Sequence, residues 1–202
     1  MSVKYVEILK YLLKFSGRLR LMREIVFGVL AFFLFIASDI NSIKWKHSAV
    51  RYLFFAGCLL LAYSTSLIFF QTPSAEHIWR LIIFGGAAAC FFALLMYALF
   101  FAIPFGKTYI APSGKPIVCR TGMYSMCRHP GVLWLAGMYL FLYLVTPAAI
   151  PAAAAVIFST LNVIYVLWQD IYVFPILFED YDDYKKSVPF LIPFTKCNGG
   201  EG

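Results

Sequence analysis

The chain has 202 residues, 62% of them hydrophobic and 13% charged, with a mean hydropathy of +0.79. Soluble domains are about half apolar and about a quarter charged, so a water-soluble globule is excluded and an integral membrane protein is expected, with the lipid bilayer as its first partner. The net charge of +7 is not a nucleic-acid signal, because Lys and Arg lie in short stretches between apolar runs, where anionic headgroups would meet them.

In chain order, residues 1–23 alternate charged and apolar groups. Lys4, Glu7, Lys10, Lys14 and Arg18 recur at roughly helical spacing, with Ile8, Leu12 and Phe15 on the other side. This pattern predicts an amphipathic helix over 1–24 lying in the interface, too charged to span. It does not read as a signal peptide, since charge extends to Arg23 and no small-residue cleavage site follows. Five later runs approach the roughly 20 apolar residues needed to cross: 25–41, 52–70, 82–103, 132–149 and 151–174. Backbone groups in lipid must be bonded within their own segment, so each is expected to be a helix. The expected architecture is thus all-α and integral to the membrane, a single domain. It has an interfacial helix (1–24), three spans (25–103), a polar loop (104–131), a helical hairpin (132–174) and a polar tail (175–202). The hairpin follows from the short connection Thr146 to Pro151.

Counting basic residues, the larger set (Lys44, Lys46, Arg51, Lys107, Lys115, Arg120, Arg128, Lys185, Lys186 and Lys196) falls on the side of the loop and tail. That places loop and tail in the cytoplasm, although the basic N-terminal segment pulls the other way. Five cysteines without a Cys-x-x-Cys pattern argue against a disulfide framework or a metal site.

Two polar clusters interrupt the apolar pattern. The first is Thr121–Trp134, TGMYSMCRHPGVLW, where Arg128, His129 and Pro130 precede a span. Taken alone, Arg and His at a helix end snorkel to headgroups, and Pro suits the first helical turn. The second cluster is Gln169–Asp170, followed by YDDYKKSVPFLIPF over Tyr181–Phe194. The hairpin brings the start of its first helix and the end of its second to one membrane face, so the clusters are expected to meet. Asp170 lies roughly 27 Å along a helix from Pro151, close to the far interface. Taken alone, Tyr181 and Tyr184 read as interface aromatics, and the acids 179–183 with Lys185 and Lys186 as a solvated helix face.

Together the two blocks resemble the isoprenylcysteine carboxyl methyltransferase family and the related small membrane methyltransferases. The match rests on Thr121, Gly122, Tyr124, Arg128, His129 and Pro130, then on Tyr181, Tyr184, Val188, Pro189 and Pro193. It covers about 105–194; the earlier spans match only in being hydrophobic. The resemblance implies methyl transfer from S-adenosylmethionine at the cytoplasmic face to a small or lipid-like acceptor: a carboxylate, thiol or amine. Carried over by position, the implied cofactor contacts are Ile117, Val118, Tyr124, His129, Pro130, Gly137, Tyr139, Gln169, Asp170, Tyr181 and Tyr184. Arg128 and Asp170 are the implied catalytic pair, Arg128 orienting the acceptor or anchoring the loop. No metal is implied. Tyr faces attract a sulfonium, and methyl transfer needs placement and exclusion of water more than an acid or base.

The chain departs from the family pattern at Val132, Trp134, Leu177–Phe178 and the Gln169–Asp170 pair, usually both acidic. Tyr165 stands where prenylcysteine enzymes carry an Arg for the substrate carboxylate, which argues against prenylcysteine as substrate. Two alternatives stand beside this reading. One is a membrane reductase using NAD(P)H, with Lys107, Lys115 and Arg120 as phosphate partners but no Gly-rich phosphate loop. The other is a non-enzymatic membrane protein retaining the fold.

Overall fold

The computed structural model describes residues 2–72, 77–101 and 116–191. Their regular elements are all helices, with no strand among them. α1 runs over Ser2–Ile40 and ends in a wider π-helical turn, Asn41–Trp45. α2 is Leu53–Gln71. α3 is Ile78–Phe101, α-helical over Gly86–Met96 and wider-pitched at both flanks. A single turn, α4, spans Met123–Met126. α5 is Pro130–Val145. α6 is Ala149–Leu177, interrupted by a π-helical turn at Gln169–Val173. α7 is Tyr181–Ser187.

Four of these stretches are long and apolar enough to cross a bilayer: Leu19–Trp45, Leu53–Gln71, Ile78–Phe101 and Ala149–Leu177. The fourth expected span, 132–149, is instead the 16-residue α5. At 1.5 Å per residue α5 covers about 24 Å, less than the roughly 30 Å hydrocarbon core. The interfacial helix expected over 1–24 is not a separate element. No Pro falls before residue 73, and α1 continues without a break from Ser2 into the first apolar run.

The hairpin is present. Thr146 ends α5, its backbone N–H and hydroxyl both donating to the Leu142 carbonyl. Pro151 sits in the first turn of α6, where its missing N–H costs nothing. α1 packs along α2, α3 along α5, and α6 against α1, α2 and α5. Close approach depends on glycine. A Cβ on Gly28 would meet the Phe158 ring at 2.1 Å, and one on Gly137 would meet the Phe91 ring at 2.1 Å. α2 and α3 share no extended interface, although Phe55 stacks on Phe100 at the end nearest the loop. The space between them is where the cavity lies.

Candidate functional site

His129 caps α5 with its backbone carbonyl, which accepts from the Val132 N–H. Its side chain makes no capping bond, and turns instead toward α6. Consecutive helical residues point about 100° apart, so Gln169 and Asp170, which open the π turn, face different partners. Gln169 points to α1, donating from Nε2 to Asp39 Oδ2 at 2.8 Å. Asp170 points to the Arg-His-Pro turn and the tail.

Asp170 is the hub of that junction, 5% exposed. Its Oδ1 accepts from Arg128 Nε at 2.9 Å, His129 Nε2 at 2.8 Å and the Tyr181 hydroxyl at 2.6 Å. Its Oδ2 lies 3.3 Å from both Arg128 Nη2 and Lys185 Nζ. A carboxylate has about four acceptor positions, so none is left for a ligand. Because an ionised carboxylate only accepts, His129 carries its proton on Nε2 and leaves Nδ1 as an acceptor, with no hydrogen-bond partner among the described residues.

Arg128 is equally committed. Its Nη1 donates to the carbonyls of Lys185 at 3.0 Å and Val188 at 2.6 Å, while its backbone N–H donates to Pro189 and that of His129 to Phe190. The tail is thereby strapped across the turn, with Phe190 packed on the His129 ring at 4.9 Å. The other edge is closed by Asp180, which accepts from the Val118 N–H at 2.8 Å and from Arg120 at 2.7 Å. Tyr184 donates to the Tyr124 carbonyl, and Tyr124 donates to Ala98 at the end of α3 at 2.9 Å. Gly122 turns the chain into α4 at φ +62°, a conformation that L side chains rarely adopt.

Burial sets the protonation of this layer. It pushes Tyr124 up to about 12, and raises Tyr184 and Tyr181 further, with the Asp170 carboxylate adding to the rise at Tyr181. All three are neutral phenols. Burial also lowers His129 from its ordinary value, against the opposing pull of Asp170, so the imidazole is neutral.

These residues frame a cavity of about 1740 Å³ between α2, α3, α5 and α6. Ligand pockets are usually about 300–1,000 Å³, so there is room for two molecules. Ile117, Val118, Tyr124, Arg128, His129, Pro130, Tyr139, Gln169, Tyr181 and Tyr184 all line it. Two expected contacts do not. Gly137 is spent on packing against Phe91, and Asp170 stands behind the wall, holding the residues that form it. Tyr139 is on the wall, but its hydroxyl bonds Thr65 of α2 at 2.8 Å. The tail tyrosines are not interface aromatics: Tyr181 and Tyr184 are 3% and 2% exposed. The acidic stretch is only partly a solvated face, since Asp182 and Asp183 are exposed while Asp180 and Lys185 hold the site together. Lys107, Lys115, Pro193 and Cys197 lie outside the described residues.

Sequence reasoning missed Lys185, Asp180 and the Asp39–Tyr165 pair. Asp39 had a signal: it is the one charged residue in the apolar run 25–41, a rare and often functional placement. Lys185 follows Tyr181 by one helical turn and so shares its face.

The class that these features define is an all-helical protein carrying four helices fit to cross a bilayer, with a polar junction at one end of a largely apolar cavity. Comparison with protein-family models, with curated proteins and with solved structures finds no match.

Proposed function

We propose that the chain is a multi-pass membrane methyltransferase using S-adenosylmethionine, with its polar junction at the cytoplasmic face and a small or lipid-like acceptor entering from the bilayer. One observation carries this reading. The Arg-His-Pro turn and the tail tyrosines, some fifty residues apart, close together on one cavity whose wall is otherwise apolar. A soluble, charged cofactor and a greasy acceptor each find a suitable surface there.

The residues present suit that cofactor. Bound S-adenosylmethionine would supply an electrophilic methyl group on a sulfonium. Tyr124, Tyr181 and Tyr184 offer neutral aromatic faces that attract a cation without adding charge. Phe174 and Phe178, also on the wall, offer faces for a purine ring. His129 Nδ1 is an acceptor free for a ribose hydroxyl or an ammonium. Arg128 and Asp170 act as positioning residues, fixing His129 and the tail rather than touching either reactant. The strap of residues 188–190 keeps water from the junction, and placement with dehydration is most of what methyl transfer requires.

The reductase alternative draws less support. Among the described lining residues the cations are Arg120 and Arg128, already paired with Asp180 and Asp170. Little is left for a pyrophosphate and a 2′-phosphate.

The test is a thermal-shift titration of the detergent-purified protein with S-adenosylhomocysteine and, separately, NADPH. S-adenosylhomocysteine is expected to stabilise by about 2.7 kcal/mol at a hundredfold excess over Kd, and His129→Ala to abolish the shift. A response to NADPH alone would replace the proposal with the reductase reading. No response to either would leave a membrane protein that keeps the fold without the chemistry.

A further inference from the structure

Away from the Arg-His-Pro junction, Tyr165 and Gln169 line the same cavity, with Asp39 behind them. Asp39 of α1 accepts on Oδ2 from the Tyr165 hydroxyl at 2.7 Å and from Gln169 Nε2 at 2.8 Å. Gln169 Nε2 also donates to the Tyr165 oxygen at 2.8 Å. The carboxylate accepts only, so this arrangement fixes the amide with its nitrogen toward Asp39. The Gln169 carbonyl oxygen is left as an acceptor with no partner among the described residues, on a side chain that lines the cavity.

Asp170, Asp180 and Glu24 each lie within 4 Å of an Arg, Lys or His, whereas Asp39 has no such neighbour among the residues whose side chains are described. It sits six residues inside the end of a helix fit to cross a bilayer, where an uncompensated carboxylate is costly. Its partner Tyr165 belongs to a cluster of aromatic rings that also line the cavity. Phe35 lies 5.7 Å from Tyr165 and 5.4 Å from Phe54, and Phe32 packs edge-on to Tyr165 at 6.5 Å. Ring faces, an amide oxygen and a negative charge behind them form the set that recognises an ammonium group.

We infer that the wall formed by Phe35, Phe54, Tyr165 and Gln169, backed by Asp39, binds the ammonium head of an amphiphilic amine whose tail fills the apolar cavity. The Gln169 oxygen accepts an N–H of the head, and Asp39 supplies the counter-charge through Tyr165 and Gln169. A carboxylate head is disfavoured for the same reason, since it would face Asp39 with no cation between them. This rests on the proposed methyl transfer only in naming the amine as the acceptor class; the binding site stands on its own geometry.

The test compares dodecylamine, dodecanol and dodecanoate by thermal shift in maltoside micelles, on wild type and Asp39→Asn, with S-adenosylhomocysteine titrated in parallel. Dodecylamine is expected to stabilise the wild type saturably, and the other two not. Asp39→Asn, which keeps the shape and loses the charge, is expected to weaken the amine by about tenfold or more while leaving the S-adenosylhomocysteine response intact. Equal responses to all three amphiphiles, or equal amine binding by both proteins, would overturn the inference and leave Asp39 as a tie between α1 and α6. Should Asp39→Asn fail to fold, the three-way comparison on wild type decides alone. Amine binding without any S-adenosylhomocysteine response would keep this site and remove the methyl-transfer reading.

Discussion

Asp170 gathers two cations, an imidazole and a phenol on one buried carboxylate. Breaking a buried ion pair from one side leaves its partners charged and unpaired, typically at about 3–5 kcal/mol. Asp170→Asn is therefore expected to lower the melting temperature steeply and to release the tail. Arg128→Lys is expected to behave alike, because one ammonium cannot reproduce the paired Nε and Nη2 contacts and the bonds to the Lys185 and Val188 carbonyls. Limited proteolysis within residues 181–191 would report the release, and unchanged cleavage would show that the strap holds without Arg128. His129 gives a second handle. Burial depresses its protonation, so the folded state binds fewer protons than the unfolded chain. The stability it contributes is present above the ordinary value of 6.5 and is lost as pH falls below it. Melting temperature should decline on acidification from neutral pH, and His129→Gln should flatten that decline.

At the scale of elements, Gln169 and Asp170 share a π turn of α6 yet face different partners, and no residue pattern announced that turn. The sequence spoke through apolar run length, which marked an all-helical membrane fold, and through motif chemistry, which marked the two clusters. It was silent on what depends on azimuth around a helix. That is why Gly137, carried over by position from the family resemblance, belongs to a helix–helix contact, and why Asp170 faces its neighbours rather than the cavity. Gly137→Ala separates contact from ligation. The added methyl would meet Phe91, and overpacking costs about 1–3 kcal/mol. Stability should fall with no change in S-adenosylhomocysteine affinity, and Phe91→Leu should restore part of it. A selective loss of affinity would return Gly137 to the binding site. The boundary expected at residue 24 failed for a related reason: charge changes along α1, but nothing in its backbone interrupts the helix.

For the whole molecule, α5 is the open point. Its length falls short of a full hydrocarbon core, yet it pairs with α6 in a tight hairpin whose far end is the Thr146–Ala148 turn. If α5 crosses, five passes put His47, Arg120 and Ser187 on one side and His77 with Ala148 on the other. In a cysteine-free background, single cysteines at these positions are expected to react with a membrane-impermeant maleimide in those two groups. Labelling of position 148 together with position 120 would show that the hairpin enters and leaves by the same face. Gly28 and Gly57, each tightly met by an aromatic ring of another helix, hold α1, α2 and α6 in register whichever result is found.

The strap has a consequence for how the protein is made. Residues 181–190 leave the ribosome after α1 to α6, and Nη1 of Arg128 cannot reach its carbonyls until they arrive. The Arg-His-Pro turn is thus made before the strap that closes over it. Docking of residues 181–190 onto that turn therefore follows the synthesis of the helices it closes over.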